Sequence, residues 1–312
     1  MIGVNFMQNI SIRSKTCNLC PRNCASLRID NHIGRCGMSW DLKAAKASLH
    51  FWEEPCISGT KGSGTVFFSG CPLGCVYCQN REIALGLSGK VISETRLGEI
   101  FLELQSKGAN NINLVTPTHY ILSIKKALIV AKRNGLTIPI VYNTSGYELV
   151  ESLQLLDGLI DIYLPDLKYY SSELSTRYSK ASDYFTYASS AIKEMFRQVG
   201  TPIFKKVSSQ DLMTRGIIVR HLVLPGQIKD SKNVLRYLYE TYGDQIYISI
   251  LNQYTPVAKN LSLYPELCRT LTQEEYNEIV DYAIELGIEN GFIQEGETAK
   301  ESFIPPFDYE GL

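Results

Sequence analysis

Gly70-Cys71-Pro72-Leu73-Gly74-Cys75-Val76-Tyr77-Cys78-Gln79-Asn80 follows directly on an apolar, strand-like run, Thr65-Val66-Phe67-Phe68-Ser69. Its three cysteines stand in C-x3-C-x2-C spacing on one glycine-loosened loop. Three thiolates so placed can hold three irons of a [4Fe-4S] cubane, a cluster that normally takes four cysteines. The remaining iron would stay open to a chelating substrate, and an open position on a metal marks chemistry rather than a structural clamp. Cys75 and Cys78 alone form C-x2-C, a spacing shared with thiol redox pairs and with half of many zinc sites. The third cysteine, with no fourth ligand nearby, argues against both.

Downstream of the loop, strand and helix signals alternate. Ser93 can cap a helix with the apolar stripe Leu97, Ile100, Phe101 and Leu104, ended by Gly108, and the strand Asn111 to Val115 follows. A second helix carries Ile121, Ile124, Leu128 and Ala131 before Gly135, with the strand Ile138 to Tyr142 behind it. Leu159 to Leu164, Ile217 to Leu224 and Gln245 to Leu251 are the later strands, separated by a long helical region from Ser172 to Val199 and a helix around Val234 to Tyr242. Thr272-Gln273-Glu274-Glu275 is a capping box for a last helix, striped by Ile279, Val280, Ala283 and Leu286. Repeated βα units imply a parallel sheet. Counting Thr65 to Ser69, six strands are expected, short of the eight of a closed barrel. The expected organisation is a Cys-rich amino-terminal extension over 1–60, a catalytic barrel over 61–290 and a tail over 291–312.

The extension carries a second cysteine group: Cys17, Cys20, Cys24 and Cys36, spaced C-x2-C-x3-C-x11-C. Four thiolates suit structural zinc and a fully ligated [4Fe-4S] cluster equally, so both stay open. Cys56 and Cys268 lie outside both groups and are expected to be small buried hydrophobes. The glycines of Gly59-Thr60-Lys61-Gly62-Ser63-Gly64 complete neither phosphate-loop nor dinucleotide spacing and read as a flexible turn.

Composition narrows the class. The chain has 312 residues, 31 basic and 32 acidic, so it has no electrostatic footprint for nucleic acid or an anionic membrane. Eight of nine cysteines lie in the first 78 residues, which is ligand clustering rather than a disulfide framework. A reduced, cytoplasmic protein is expected. Met1 to Ile12 has no basic region before it and is broken by Asn5, Gln8 and Asn9, so it does not read as a signal peptide. The longest uncharged run, Gly62 to Asn80, is too glycine-rich and polar to span a bilayer.

C-x3-C-x2-C with Tyr77 just before the last cysteine resembles the signature of the radical S-adenosylmethionine (SAM) enzymes. Gly64 to Cys71 and Tyr77-Cys78-Gln79-Asn80 are similar to the branch related to pyruvate formate-lyase activating enzyme, and agreement continues along nearly the whole chain. The resemblance implies an α/β fold, a partial (β/α)6 barrel of the radical SAM type, and cofactors [4Fe-4S] and SAM. SAM's amino and carboxylate groups would chelate the open iron. An electron delivered to the cluster, from a flavodoxin or ferredoxin, would then cleave SAM to methionine and a 5′-deoxyadenosyl radical that takes hydrogen from substrate. The chain would thus be an oxidoreductase or lyase, with a glycyl-radical enzyme as the implied partner substrate. Small-molecule radical chemistry, plain iron-sulfur electron transfer and a zinc-bearing interaction module remain the alternatives.

Barrel enzymes gather their chemistry at the carboxyl ends of parallel strands, where this chain has Thr116 to His119, Asn143 to Gly146, Asp166-Leu167-Lys168, Arg220 and Asn252-Gln253-Tyr254. By resemblance, Leu164 to Tyr169 is like the activases' D-x-K segment and Val219 to Gly226 like their arginine strand, which contact SAM or a nearby cation. Asp166 and Lys168 would point the same way if the strand continues. Arg220 lies among Ile218, Leu222 and Leu224, where a lone guanidinium is unfavourable, so a carboxylate must be near: Asp166, or that of SAM. Asn143 and Gln253 are candidates for ribose or amino-acid contacts, and Tyr77 for the adenine site. His119 and His221 read as structural histidines. The tail segment Glu301 to Tyr309, aromatic and proline-stiffened, would either dock over the open barrel or pack on its exterior.

Overall fold

A computed structural model describes residues 16–28, 32–207, 209–256, 261–294 and 305–312. The stretch Met1 to Ile12 and residues Glu301 to Ile304 of the tail lie outside them. Strands are β1 Lys43–His50, β2 Ser63–Phe68, β3 Lys90–Val91, β4 Ile112–Val115, β5 Ile140–Thr144, β6 Ile162–Pro165, β7 Ile203–Val207, β8 Gln210–Leu222, β9 Tyr247–Leu251 and β10 Gly291–Ile293. Helices are α1 Pro55–Ser58, α2 Arg81–Ala84, α3 Glu94–Ser106, α4 Ile121–Arg133, α5 Val150–Gln154, α6 Ser172–Ser179, α7 Tyr184–Val199, α8 Ile228–Tyr242 and α9 Gln273–Leu286.

The sheet runs in the order β10-β9-β8-β6-β5-β4-β2-β1-β3, with β7 hairpinned onto β8. From β2 through β10 neighbours are parallel, and β1 and β3 add an antiparallel edge. All six expected strands are present in the expected parallel array. Three features differ from expectation. The sheet begins at Lys43, inside the amino-terminal stretch, because β1 pairs with β2 along its length. The helical region from Ser172 breaks at Lys180, which turns left-handed at φ 51 and separates α6 from α7. Gly291 to Ile293 continues the parallel sheet beside β9.

The outer layer is built by the stripes. Leu97, Ile100, Phe101 and Leu104 of α3 and Ile121, Ile124, Leu128 and Ala131 of α4 are all buried in one core with the outward residues of the strands, such as Tyr142 and Tyr163. Burying each large apolar side chain contributes about 1.5–3 kcal/mol. The opposite strand face is decided by the period of two. Val141, Ile162, Leu164 and Ile218 form an apolar plug with Ile57. Two residues further along the same faces stand Asn143, Asp166 and Arg220, a polar layer above the plug at the carboxyl ends. Ser93 and Thr272 cap α3 and α9 as read, the latter with both hydrogen bonds of the capping box.

From Phe307 to Glu310 the described tail packs along β1, while Pro305 lines the cavity at the carboxyl ends of the strands. Tyr309 and Glu310 exchange backbone hydrogen bonds with Ala45 and Ala47, Lys46 pairs with Asp308 at 2.8 Å and Glu310 at 2.7 Å, and Phe307 meets Phe67 edge-on. Cys56 is buried as expected. Cys268 is not: it is exposed on a 3-10 turn, its thiol reaching the Leu261 carbonyl at 3.3 Å. Among the described residues no helix is long and apolar enough to cross a membrane.

Candidate active site

The loop after β2 leaves the sheet at Gly70, whose φ of +90 suits glycine alone. A side chain there would meet Met38, the Cys36 carbonyl at 2.8 Å and His119 Nε2 at 2.9 Å. The loop therefore starts pressed between the amino-terminal segment and the end of β4. Cys71, Cys75 and Cys78 line a cavity of about 520 Å³, together with Tyr77, Asn143, Asp166, Lys168, Arg220 and Gln253. Every residue picked from sequence for the catalytic site is thus brought to one cavity. Burial pushes the Cys71 thiol up to about 11 and the Cys78 thiol up to about 12. Loading with metal, which takes thiolates, therefore releases protons.

The polar layer is a connected network. Lys168 Nζ donates to Asp166 at 2.7 Å, and Arg220 Nε donates to the other Asp166 oxygen at 2.9 Å. Arg220 also donates to Asn143 Oδ1 at 2.6 Å and to Glu53 Oε2 at 3.2 Å. Burial would raise the Asp166 carboxyl, but Arg220 and Lys168 outweigh it and hold the group below its ordinary range. Burial would lower Lys168, but the Asp166 carboxylate outweighs it, so the ammonium stays charged. The carboxylate demanded by Arg220 is Asp166, and with it a second one that the sequence reading missed.

That second carboxylate, Glu53, comes from the β1–α1 connection and also accepts from Asn113 at 2.9 Å and Asn143 at 3.3 Å. Its neighbour Glu54 is buried at 7% exposure, lines the same cavity and has one carboxyl oxygen without a partner. Burial raises both carboxyls despite Arg220. Two adjacent acidic residues before Pro55 on a buried turn were the available signal. A further mark is Thr116, a β-branched residue held at φ 58 where β4 runs into the cavity.

Tyr77 lines the cavity with one side and packs with the other: its ring is edge-on to Tyr169, Tyr178 and Tyr254, and its hydroxyl accepts from Tyr169 at 2.7 Å. Gln79 Nε2 donates to the Gln253 carbonyl at 2.7 Å, tying the cysteine loop to the end of β9. His119 and His221 are buried and spend a ring nitrogen on the carbonyls of Ser69 and Leu167. Burial lowers them to about 3 and about 4, so both are neutral structural groups.

Cys17, Cys20 and Cys36 are buried and Cys24 exposed, in coil outside the sheet. Among the described residues no three His, Cys, Asp or Glu side chains are gathered into a site for a single ion. Thiolates on a cubane bind separate irons and need not converge on one point.

An open parallel α/β barrel with three thiols on the loop after its first parallel strand, above an ion-paired layer, defines a class of cofactor-dependent barrel enzymes. Residues 65–238 match the sequence profile of the Radical SAM superfamily, more than half of the chain, and the chain belongs to that superfamily. Its cofactors are accordingly a [4Fe-4S] cluster and SAM. It is similar to an uncharacterized protein of Methanocaldococcus jannaschii, 28% identical over 86% of this chain and 74% of that one. Among solved structures it is similar to SuiB of Streptococcus suis bound to its precursor peptide SuiA (13% identity, TM-score 0.48), over 73% of this chain and 47% of that one. It is also similar to a domain of pyruvate-formate lyase-activating enzyme from Bacteroides vulgatus (12% identity, TM-score 0.39), over 56% of this chain and 92% of that one. The chain spans about half the length of SuiB.

The residues present fit both cofactors. Three thiols on one loop match a cubane with one free corner, and the adjoining cavity offers cationic, anionic and amide groups in a size range suited to a small zwitterion.

Proposed function

We propose that Cys71, Cys75 and Cys78 hold the catalytic cluster, that SAM is received by the layer of Asn143, Asp166, Lys168, Arg220 and Gln253 beside Tyr77, and that the substrate is a glycyl residue of a partner protein. The observation that carries the site reading is the meeting of the three thiols and the ion-paired layer in one cavity. The bound cofactors supply a one-electron cleavage of the sulfonium that yields a hydrogen-abstracting 5′-deoxyadenosyl radical.

The chain's own residues bind, orient and exclude water. Arg220, fixed by Asp166 and Asn143, presents its guanidinium at the level where a carboxylate can pair with it. Lys168, kept charged by Asp166, adds a second cation that holds its proton. The cluster of Tyr77, Tyr169, Tyr178 and Tyr254 closes one wall of the cavity. Positioning of this sort, rather than proton transfer, is what the layer is suited to do.

The activase-like assignment is supported by the motif resemblance at Gly64 to Asn80 and at the D-x-K and arginine segments, and it is tested directly. Reduced, reconstituted protein is mixed with SAM and candidate glycyl-radical enzymes under anaerobic conditions, with flavodoxin or dithionite as reductant. A protein-based radical in the electron paramagnetic resonance (EPR) spectrum is the expected result. Stimulation of SAM cleavage by a metabolite extract instead, with label passing from a small molecule into 5′-deoxyadenosine, replaces the glycyl reading with small-molecule radical chemistry.

A further inference from the structure

Arg22 lies between Cys20 and Cys24, yet its guanidinium leaves the amino-terminal segment entirely. Nε donates to the Pro72 carbonyl at 2.8 Å, and the two terminal nitrogens donate to Leu73 at 2.9 Å, Ser179 at 2.7 Å and Lys180. Pro72 and Leu73 are two of the three residues between Cys71 and Cys75. Ser179, held by its carbonyl, donates its hydroxyl to Cys75 Sγ at 3.2 Å. The guanidinium also lies over the Tyr147 ring, 5.2 Å from its centroid. A second tie runs the other way: the Cys71 N–H donates to the Cys36 carbonyl at 3.1 Å. Three of the four amino-terminal cysteines thus flank or form the contacts that hold the catalytic loop: Cys20 and Cys24 on either side of Arg22, and Cys36 by its carbonyl.

Among the described residues the segment from Cys17 to Cys36 has no helix or strand, and it is held by a few backbone hydrogen bonds, such as Cys17 N–H to the Ser26 carbonyl at 2.7 Å, and by the side-chain hydrogen bonds of Arg22, Arg28 and Ser152. Two of the thiols flank one glycine: a methyl group on Gly34 would sit 3.4 Å from Cys36 Sγ and 3.5 Å from Cys24 Sγ. Beside them Arg28 is 1% exposed, and it donates to the carbonyls of Met38, Ser39 and His119 and to the sulfur of Cys17 at 3.5 Å. Among the described residues no carboxylate pairs with this buried, permanent cation. A fixed charge in the interior calls for a counter-charge, and a tetrathiolate centre, carrying a net negative charge, supplies it.

We propose that Cys17, Cys20, Cys24 and Cys36 bind a second metal centre, of tetrathiolate chemistry, whose occupancy sets the pose of the catalytic cysteine loop through Arg22 and the Cys36 carbonyl. Arg22 is then a positioning residue, and the inference rests on the reading of Cys71, Cys75 and Cys78 as the catalytic ligands.

The test uses full-length protein, reconstituted anaerobically with iron and sulfide and separately supplied with zinc, and measures metal per chain, the EPR spectrum of the reduced cluster with and without SAM, and SAM affinity. Cys17→Ser/Cys20→Ser should hold one centre fewer than the parent, the loss falling in iron and sulfide or in zinc according to the occupant. Cys71→Ala/Cys75→Ala should keep that centre while losing the other, so failure of the catalytic reading is seen separately. Arg22→Gln should keep both metal contents, change the SAM-dependent EPR shift and weaken SAM binding about tenfold, as supporting contacts to metal loops do. Arg22→Lys, which keeps the charge but not the fork, should not restore it. Unchanged metal in the Cys17→Ser/Cys20→Ser protein overturns the site; an Arg22→Gln protein with parental spectrum and affinity overturns the coupling.

Discussion

The two cysteine groups use the same donor atom in opposite settings. Cys71, Cys75 and Cys78 stand over the carboxyl ends of parallel strands, beside an ion-paired layer and a cavity of about 520 Å³. Cys17, Cys20, Cys24 and Cys36 stand in coil outside the sheet, beside one buried arginine and a set of carbonyls. The number of thiols follows the setting. Under the proposals above, three thiols beside a cavity leave a corner open to another ligand, and four close the shell. What stands opposite a thiol decides its chemistry more than the thiol does.

The largest effect that would break this contrast is at the catalytic loop. Cys75→Ala should reduce dithionite-driven formation of 5′-deoxyadenosine to the background without enzyme, while metal held by Cys17 to Cys36 persists. Parental rates in the Cys75→Ala protein would remove the distinction between the groups altogether.

Next comes the layer that only the catalytic group has. Arg220→Leu leaves Asp166 and Glu53 without their shared cation, and removing one partner of a buried pair costs about 3–5 kcal/mol. The Arg220 side chain keeps 15% exposure toward the cavity, so the lower end is expected. Urea unfolding should show that loss, and equilibrium dialysis a weakened SAM affinity, with amino-terminal metal unaltered.

Glu148 supplies a pH signature beneath the layer. Burial pushes its carboxyl up to about 7, against the hydroxyls of Thr118, Thr144 and Tyr142, which donate to it. The folded state therefore keeps a proton that the unfolded chain releases near 4.5. Its contribution is fully present below about 4.5 and is lost as pH rises through about 7, at up to ~1.4 kcal/mol per pH unit. Stability measured by urea at pH 5, 6, 7 and 8 should fall across that window less steeply in Glu148→Gln than in the parent. Equal slopes would mean that Glu148 is ionised in the fold.

Much of this was legible in the chain. The six strands declare themselves by short apolar runs between glycines, and the three thiols that meet in the cavity by their spacing. The strand β1 did not, because Lys-Ala-Ala-Lys has no β preference and becomes a strand only by pairing with β2. Glu53 was hidden for a related reason. Its partner Arg220 is 167 residues away, and no local pattern announces that a loop carboxylate returns to it. Arg220 itself gave half the answer, since a cation in an apolar strand requires an anion and Asp166 was in view. Arg22 carried no signal, for its acceptors are backbone carbonyls that any residue could offer.

The smallest effect is a control that touches neither group. Thr272 accepts the Glu275 N–H at 3.2 Å, and the Glu275 side chain returns to the Thr272 N–H at 3.0 Å. Glu275 is also held by Arg269 and accepts from Gly226 N–H at 2.8 Å, which anchors the start of α9 to the turn after β8. Thr272→Ala removes one acceptor from four unpaired amides at the helix start, a change that costs about 1 kcal/mol. Because Arg269 and Gly226 still fix Glu275, the helix should remain docked and the loss should not exceed that figure. The urea midpoint should shift accordingly, with metal content, SAM affinity and SAM cleavage at parental values. If Thr272→Ala disturbed the cofactor readouts, losses seen on substituting Arg220 or Arg22 could be ascribed to general loosening of the barrel, and the separation of the two cysteine groups would have to rest on the cysteine variants alone.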